Sequence, residues 1–462
     1  MDIVIIVLLI YLVLMFGIAW YFSRREGIEA YFINSKKTGL WLMVFSSVAT
    51  MIGAGATVAI VSEVYNTGIS YGIALPVSLI VGALLMAFFS KKIKSFGEEN
   101  KAYTLVDFFH KRFDNKNKIL AFVLQLFILI MWVGTQGIAI AAIASVLTGI
   151  NFHIALLLAA GITILYTSIG GLKIDFITDF IQFWIILIVF LIMALFSYNS
   201  IGSISSLVSQ LPQGHLDPLA FGGLTWFLGV IFLSGFLYIG GSHHWQRIVS
   251  AKSQKIARKS FFMTIPFFIL IGLITIFFGL VASTKLSGIE QDLALFSLME
   301  TMLPPFLVGI GFASILAVIM SSVDSLLIGG STIIYRGLFK KDQFDNKKEI
   351  FYARLITALF GICGFAVAFL IPDIVSLSLI TSYLAVAFGI PLIFGLYSKK
   401  LSANASFYAL FLSVIALLIA FPIMGSNSFV VPLVISLPIL IFYDKIFKKS
   451  GKVILKDPLR GI

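Results

Sequence analysis

The hexapeptide Met320-Ser321-Ser322-Val323-Asp324-Ser325 concentrates oxygen chemistry inside an apolar run from about Leu307 to Tyr335. A carboxylate at the middle of a membrane helix costs roughly 2.5–3.5 kcal/mol on insertion scales, so such a residue marks function by default. Ser321 and Ser325 are four apart and Asp324 is three on from Ser321, which sets two hydroxyls and a carboxylate along one helical face. A row of hard oxygens turned inward suits a small hard cation, and Na⁺ is the obvious candidate. Serines also let helices pack closely, and an Asp can hydrogen-bond a neighbour. The carboxylate tips the balance toward an ion site.

Two stretches break helical regularity in matching ways: Met51-Ile52-Gly53-Ala54-Gly55-Ala56-Thr57 and Tyr238-Ile239-Gly240-Gly241-Ser242-His243-His244. Glycine costs about 1 kcal/mol relative to Ala inside a helix. Carbonyls freed at such breaks must be satisfied by a cavity between helices, because lipid offers no donors; close packing is the competing use of these glycines. Asp179, in Thr178-Asp179-Phe180-Ile181-Gln182, fits the same cavity or pairs with Lys173. Glu63 lies near the outer end of its span, where water reaches, and Trp132 and Gln136 are candidates for a solute wall. His243 and His244 invite a metal reading, but neighbours on a helix point about 100° apart and no third ligand completes a set. The chain carries no nucleophile elbow, P-loop or HExxH, so neither an enzyme nor ATP-driven transport is indicated, and no cofactor is implied.

These residues must be positioned by membrane helices. The 462 residues are 60% hydrophobic and 12% charged, and apolar runs near 20 residues recur throughout. The 20-residue rule gives about 13 spans: 3–22, 40–64, 70–90, 119–148, 152–169, 174–198, 222–246, 256–283, 305–336, 350–371, 373–397, 404–424 and 428–444. The net charge of +12 could suggest nucleic acid. Numbering the loops from an outer N-terminus, however, puts every one of the 33 Lys and Arg except Lys285 on the inner side. That is the positive-inside bias, which requires no polyanionic partner. It orients the chain with its N-terminus outside and its C-terminus in the cytoplasm, in a plasma (bacterial inner) membrane. Residues 2–22 lack a basic leader and a small-residue cleavage site, so they read as a retained helix. Cys363 is the only cysteine, so no intramolecular disulfide forms. No loop exceeds roughly 30 residues, which leaves no room for a soluble domain, and the tail after Lys445 is too short for a kinase.

The spans from the second to the sixth (40–198) and from the seventh to the eleventh (222–397) form blocks of five that begin on opposite sides of the membrane. They read as inverted repeats, with one extra helix before (3–22), two after (404–444) and a cytoplasmic tail (445–462). Glycine-interrupted first helices at matching positions of inverted halves point to a transporter's midplane site.

Four stretches resemble the sodium:solute symporter family, relatives of the sodium–glucose and sodium–proline carriers with the LeuT-type fold. They are Tyr166-Thr-Ser-Ile-Gly-Gly-Leu followed by Thr178-Asp179 and Gln182, and Trp245-Gln246-Arg247 with Ala251-Lys252-Ser253. Next come Ala317 to Arg336, containing MSSxDS and Ser331-Thr332, and finally Gly395-Leu-Tyr-Ser-Lys-Lys, with Ser398 where Trp is usual. The resemblance spans essentially the whole chain. It implies a main Na⁺ site from the carbonyls of Ala49, Ile52 and Val318 and the hydroxyls of Ser321 and Ser322. Such uncharged oxygens bind Na⁺ weakly enough to release it. It implies a second Na⁺ site from Asp179, Ser321, Asp324 and Ser325, where Asp324 departs from the family's serine; a protonated carboxylate there would shift coupling toward H⁺. The solute would sit near Thr50, Gly53, Gln136, Tyr238, Ser242, His243 and Tyr383. Met51 stands where Asn or Asp is common, which argues against sugar recognition of the usual kind. The stretch Ser62 to Gly68 looks closer to monocarboxylate, vitamin and anion carriers.

The implied activity is Na⁺-coupled import of a small organic solute (carboxylate, amino acid, vitamin or sugar) by alternating access, with a single chain as the working unit. The alternatives are a proton-coupled symporter of the same fold, a channel, or a membrane-embedded enzyme. Glycine breaks in inverted halves favour a carrier over a channel.

Overall fold

The structure is a computed structural model that describes residues 2–23, 27–233, 235–339, 345–371 and 374–447. Arg24, Arg25, Lys340, Lys341 and the basic stretch after 447 lie outside the described residues. Among those described there is no strand, only an isolated parallel bridge between Thr38 and Ala251. The expectation of an all-α membrane fold holds.

The chain opens with the apolar helix α1 (Asp2–Phe22) and the short α2 (Ile28–Ile33). Then α3 (Leu40–Met51) and α4 (Val58–Thr67) form one span bent by 79°. A return pass, α5 (Ile69–Glu99), leads through the short α6 (Leu105–Arg112) to α7 (Asn115–Thr148). The next helix, α8 (Phe152–Ile201), is followed by the short α9 (Ile204–Gln210). Three pieces come in succession: α10 (Gly223–Leu233), α11 (Gly235–Gly240) and α12 (Ser242–Ser250). The rest are α13 (Gln254–Lys285), the short α14 (Ala294–Met302), α15 (Pro305–Leu338), α16 (Asn346–Leu370), α17 (Ile374–Tyr397), α18 (Ala403–Met424) and α19 (Val431–Phe447).

Among the described residues ten helices are long and apolar enough to cross a membrane, or eleven with α3–α4 as one bent span. The count of 13 also requires dividing α8 and taking α10–α12 as one interrupted span. At 50 residues α8 is roughly 75 Å long, far beyond a hydrocarbon core of about 30 Å. Helical backbone is lost only at Gly171 (φ 67°, ψ 179°), a left-handed setting that an L side chain resists. The sequence places a loop between 169 and 174; the structure instead turns at one residue.

Helix α15 is the central post, with 78% of its apolar window buried, against 22–28% for α1, α18 and α19 at the rim. It packs on α8, α7, α3 and α1. The extra helix α1 also touches the core's polar interior, since Gln182 Nε2 donates to Tyr11 Oη at 2.8 Å.

The first break is specified by its neighbours. Ala54 N, the regular helical partner of Thr50 O, donates instead to Gln136 Oε1 at 3.0 Å. Ala56 N, which would serve Ile52 O, goes to Gly53 O at 2.9 Å. Two carbonyls thereby lose their helical donors. Gly53 is closely covered: a Cβ there would lie 2.3 Å from Ser322 Oγ and 3.1 Å from Gln136 Oε1. Gly53→Ala is therefore expected to push α15 away from the break at about 1–3 kcal/mol. Its Na⁺ half-saturation in uptake assays should rise roughly tenfold or more.

Candidate functional site

At the break, Ser321 Oγ lies 2.9 Å from Ala49 O and 2.8 Å from Val318 O. Ser322 Oγ lies 2.9 Å from Thr50 O and 3.4 Å from Val318 O. One hydroxyl proton cannot serve two carbonyls, so these oxygens form a compact acceptor-rich group whose chemistry suits a small cation. Ala49, Val318, Ser321 and Ser322 thus meet as the sequence reading expected. Ile52 ends α3, and the amide that would bond its carbonyl is used elsewhere. The carbonyl of Thr50 belongs to the same group and was not foreseen.

One turn away lies a charged cluster. Arg247 on α12 is completely buried and its Nη2 donates to Asp179 Oδ2 at 2.7 Å, Asp175 Oδ2 at 3.1 Å and Ser46 Oγ at 2.9 Å. It also bonds Thr50 Oγ1. Ser46 Oγ donates to Asp179 Oδ2 at 2.6 Å, and Thr50 Oγ1 donates to the same oxygen at 3.1 Å. Ser325 Oγ bonds the Asp175 carboxylate at 3.0 and 3.2 Å and sits 3.1 Å from Thr50 Oγ1. Asp324 takes the Thr167 hydroxyl. Of the residues expected at a second cation site, Asp179 and Ser325 are therefore linked through Thr50. Asp324, however, turns to Thr167, and the carboxylate that Ser325 touches is Asp175. Asp179's ion-pair partner is Arg247 rather than the Lys173 considered from sequence.

The cluster fastens three elements on one side of the break: α3 through Ser46 and Thr50, α8 through its two aspartates, and α12 through Arg247. Gln246 adds bonds from α12 to Phe32 O at 2.5 Å and Thr332 Oγ1 at 2.7 Å. The Thr38–Ala251 bridge joins the chain just before α3 to the chain just after α12, with Thr38 N donating to Ser250 O at 3.1 Å. That side of the bundle is closed.

On the other side of the break lies a cavity of about 150 Å³, room for one small organic molecule. Thr50, Gly53, Gln136, Tyr238, His243 and Tyr383 line it, as expected; so do Trp132, Trp226 and His244. Among the described residues no Asp, Glu, Lys or Arg lines it. Trp132 stands edge-on to His243 at 5.4 Å, and the two imidazoles are 3.9 Å apart. Ser242 is turned elsewhere: its N–H donates to Gln125 Oε1 at 3.0 Å and its Oγ accepts from Leu105 N at 3.2 Å. Glu63 is buried rather than solvated.

Gln125 also donates to Gly240 O at 2.7 Å, so it satisfies both backbone groups flanking Gly241 in the second break. Each break is thus served by one glutamine of α7. Two polar residues 11 apart on an apolar helix fall within about 20° of one face, a signal the sequence reading used only for Gln136.

A helical bundle with a broken span tied to a serine-rich central helix, beside a cavity with an open mouth, is the architecture of a cation-coupled membrane carrier. The chain belongs to the sodium:solute symporter family, whose family model matches residues 31–413. It is 27% identical over 388 residues to a sodium/proline symporter of Staphylococcus aureus, covering 79% of this chain and 74% of that one. To a sodium/pantothenate symporter of Escherichia coli (strain K12) it is 26% identical over 438 residues, 88% of each. A solved Na⁺-coupled sialic acid symporter in a substrate-bound outward-open state superposes with a TM-score of 0.84. It shares 17% identity and covers 98% of this chain and 99% of that one, a likeness of fold. The protein is accordingly a multi-pass Na⁺-coupled symporter for a small solute and not an enzyme.

Proposed function

We propose that this symporter imports a small organic solute bearing one carboxylate, with the main Na⁺ held by Ala49, Ile52, Val318, Ser321 and Ser322. The observation that carries this reading is the contact of Ser321 and Ser322 with carbonyls of the broken helix, which puts the cation group at the floor of the cavity. A solute there meets hydroxyls, imidazoles and aromatic faces but no fixed charge, so the neighbouring Na⁺ supplies the compensation for a carboxylate. The relatives named for proline and pantothenate support solutes of this size. The cavity is the outward-facing one, and the Arg247 cluster is the closed cytoplasmic gate. The chain sits in the plasma (bacterial inner) membrane with its N-terminus outside and its C-terminus in the cytoplasm. Residues 40–198 and 222–397 act as inverted repeats that rock against each other within the lipid bilayer, in about 13 spans, and a single chain suffices. Na⁺ binding joins α3 to α15, favours the outward cavity and prepares the solute site.

Energy is adequate. One charge crossing about 100 mV yields roughly 2.3 kcal/mol and a tenfold Na⁺ gradient about 1.4 kcal/mol, enough for several hundredfold accumulation of a neutral solute. In proteoliposomes an inward Na⁺ gradient is expected to drive saturable, concentrative uptake of at least one member of a panel of organic acids, amino acids and vitamins. Sugars are expected to be poor substrates. Sugar uptake exceeding that of every acid would overturn the substrate class, and solute that equilibrates without concentrating would indicate a channel.

A further inference from the structure

We propose that α1 is a working part of the cation machinery. Tyr11 is the positioning residue through which it sets the spacing of α8 and α15 behind Ser321 and Ser322. The proposal rests on the Na⁺-coupled reading above. It adds a component beyond the matched family region, which begins at residue 31, whereas α1 ends at Phe22. Between Ile3 and Ala19 the sequence of α1 holds a single polar side chain, the Tyr11 phenol. Val4, Tyr11, Met15 and Ala19 are buried, whereas Ile6, Leu9, Ile10, Val13 and Leu14 are exposed. The buried four form one stripe along the helix, and Tyr11 lies in it near mid-helix. Lipid is as apolar as the rest of that stripe, so docking in a bilayer rests on packing and polar bonds. A hydroxyl at this depth requires a protein partner.

That hydroxyl joins three helices. Tyr11 Oη accepts from Gln182 Nε2 of α8 at 2.8 Å and donates toward Met320 Sδ of α15 at 4.0 Å, sulfur being a weak acceptor. Both partners abut the cation group. Met320 immediately precedes Ser321, and Gln182 is three residues on from Asp179, along the same face of α8. Nearer the N-terminus of α1 the approach to α15 is close: a Cβ at Gly309 would lie 3.1 Å from Val4 Cα and 3.2 Å from Val7 Cβ. One turn beyond Tyr11, the Phe16 ring stands edge-on to Tyr166 at 5.7 Å. The Tyr166 hydroxyl in turn is, with that of Thr167, a hydrogen-bond partner of Asp324. The helix thus braces the α8–α15 pair from its lipid side. Ser321 and Ser322 reach Ala49 O and Thr50 O at 2.9 Å each, and contacts that short tolerate little drift of α15. Without the phenol hydroxyl the buried Gln182 amide loses its acceptor, and α8 and α15 lose their common pin. Weaker Na⁺ binding in a protein of unchanged fold is the result.

Equilibrium binding of ²²Na⁺ to the full chain in nanodiscs, without solute, tests this. Tyr11→Phe and Gln182→Met each preserve size and remove one side of the bond. Each is expected to raise the Na⁺ concentration for half-saturation by roughly fivefold, with the amount bound at saturation unchanged. Because the two residues act through one bond, the double variant should also be shifted about fivefold rather than by the product of the two. If Gln182→Met fails to fold, Tyr11→Phe alone decides by the same half-saturation. A Tyr11→Phe half-saturation equal to the wild type, with binding lost in the Ser321→Ala/Ser322→Ala variant, would overturn this proposal while the main site stands. A Tyr11→Phe protein that binds less Na⁺ at saturation with an unmoved half-saturation would show a role in folding only, and would overturn it too. Multiplying effects, about 25-fold in the double variant, would mean that the residues act separately and that no shared pin exists. Unchanged binding in the serine variant would sink the main site, and this proposal with it.

Discussion

Replacing Ser321 and Ser322 together by Ala is expected to raise the Na⁺ concentration for half-maximal uptake by roughly 100-fold or more. Each hydroxyl contributes about 1.5–3 kcal/mol to a charged partner, and two lost ligands therefore amount to about 3 kcal/mol or more, two decades in an equilibrium constant. The serines are small and buried, so Ala fills nearly the same volume and the protein should insert normally. The measurement is Na⁺-dependent uptake at saturating solute, normalised to purified protein in the membrane. Either single variant should show part of the effect, because Ser321 reaches Ala49 O and Ser322 reaches Thr50 O separately. Unchanged Na⁺ dependence in the double variant would remove the main cation site from these residues.

Arg247→Gln is expected to slow uptake by about 100-fold and to leave the proposed cytoplasmic side open. Removing one member of a buried ion-pair group costs about 3–5 kcal/mol. On the proposed gate reading these bonds belong to the closed arrangement, so their loss shifts the two-state balance away from it. Arg247→Lys keeps the charge as a compact ammonium on a more flexible stem, and should fall between. The readout is labelling of Ser47→Cys in a Cys363→Ala background by a membrane-impermeant thiol reagent from the C-terminal side. Ser47 is 1% exposed and should be protected when Arg247 is present and labelled when it is not. Protection that is indifferent to Arg247 would show that the cluster is not the gate.

Much of this architecture could be read from the residues alone. Apolar runs set the spans because backbone groups in lipid leave only helices as a solution. Gly53 and the MSSxDS run pointed to the contact between α3 carbonyls and the α15 serines because both ends of that contact carry local signals, glycine on one side and hydroxyls on the other. Arg247 was different. Its motif was visible, but its carboxylate partners lie 72 and 68 residues away, and nothing local says which of many buried oxygens a guanidinium will meet. Asp175 was passed over although it precedes Asp179 by four residues, the spacing that stacks two side chains on one face. Ser242 was assigned to the solute by the resemblance, yet its backbone N–H meets Gln125 and its hydroxyl accepts from Leu105 N. The turn in α8 hinged on Gly171 alone, where positive φ decides the path and composition does not.

The glutamines of α7 have a consequence for how the carrier moves. Gln136 grips the first discontinuous span and Gln125 the second, roughly 16 Å apart along a single rod. In the alternating-access cycle proposed above, that rod would act as a shared spindle, with both breaks pinned to it, so that a tilt at one is felt at the other. Synchrony between the two breaks would then rest on the eleven-residue interval between two amides.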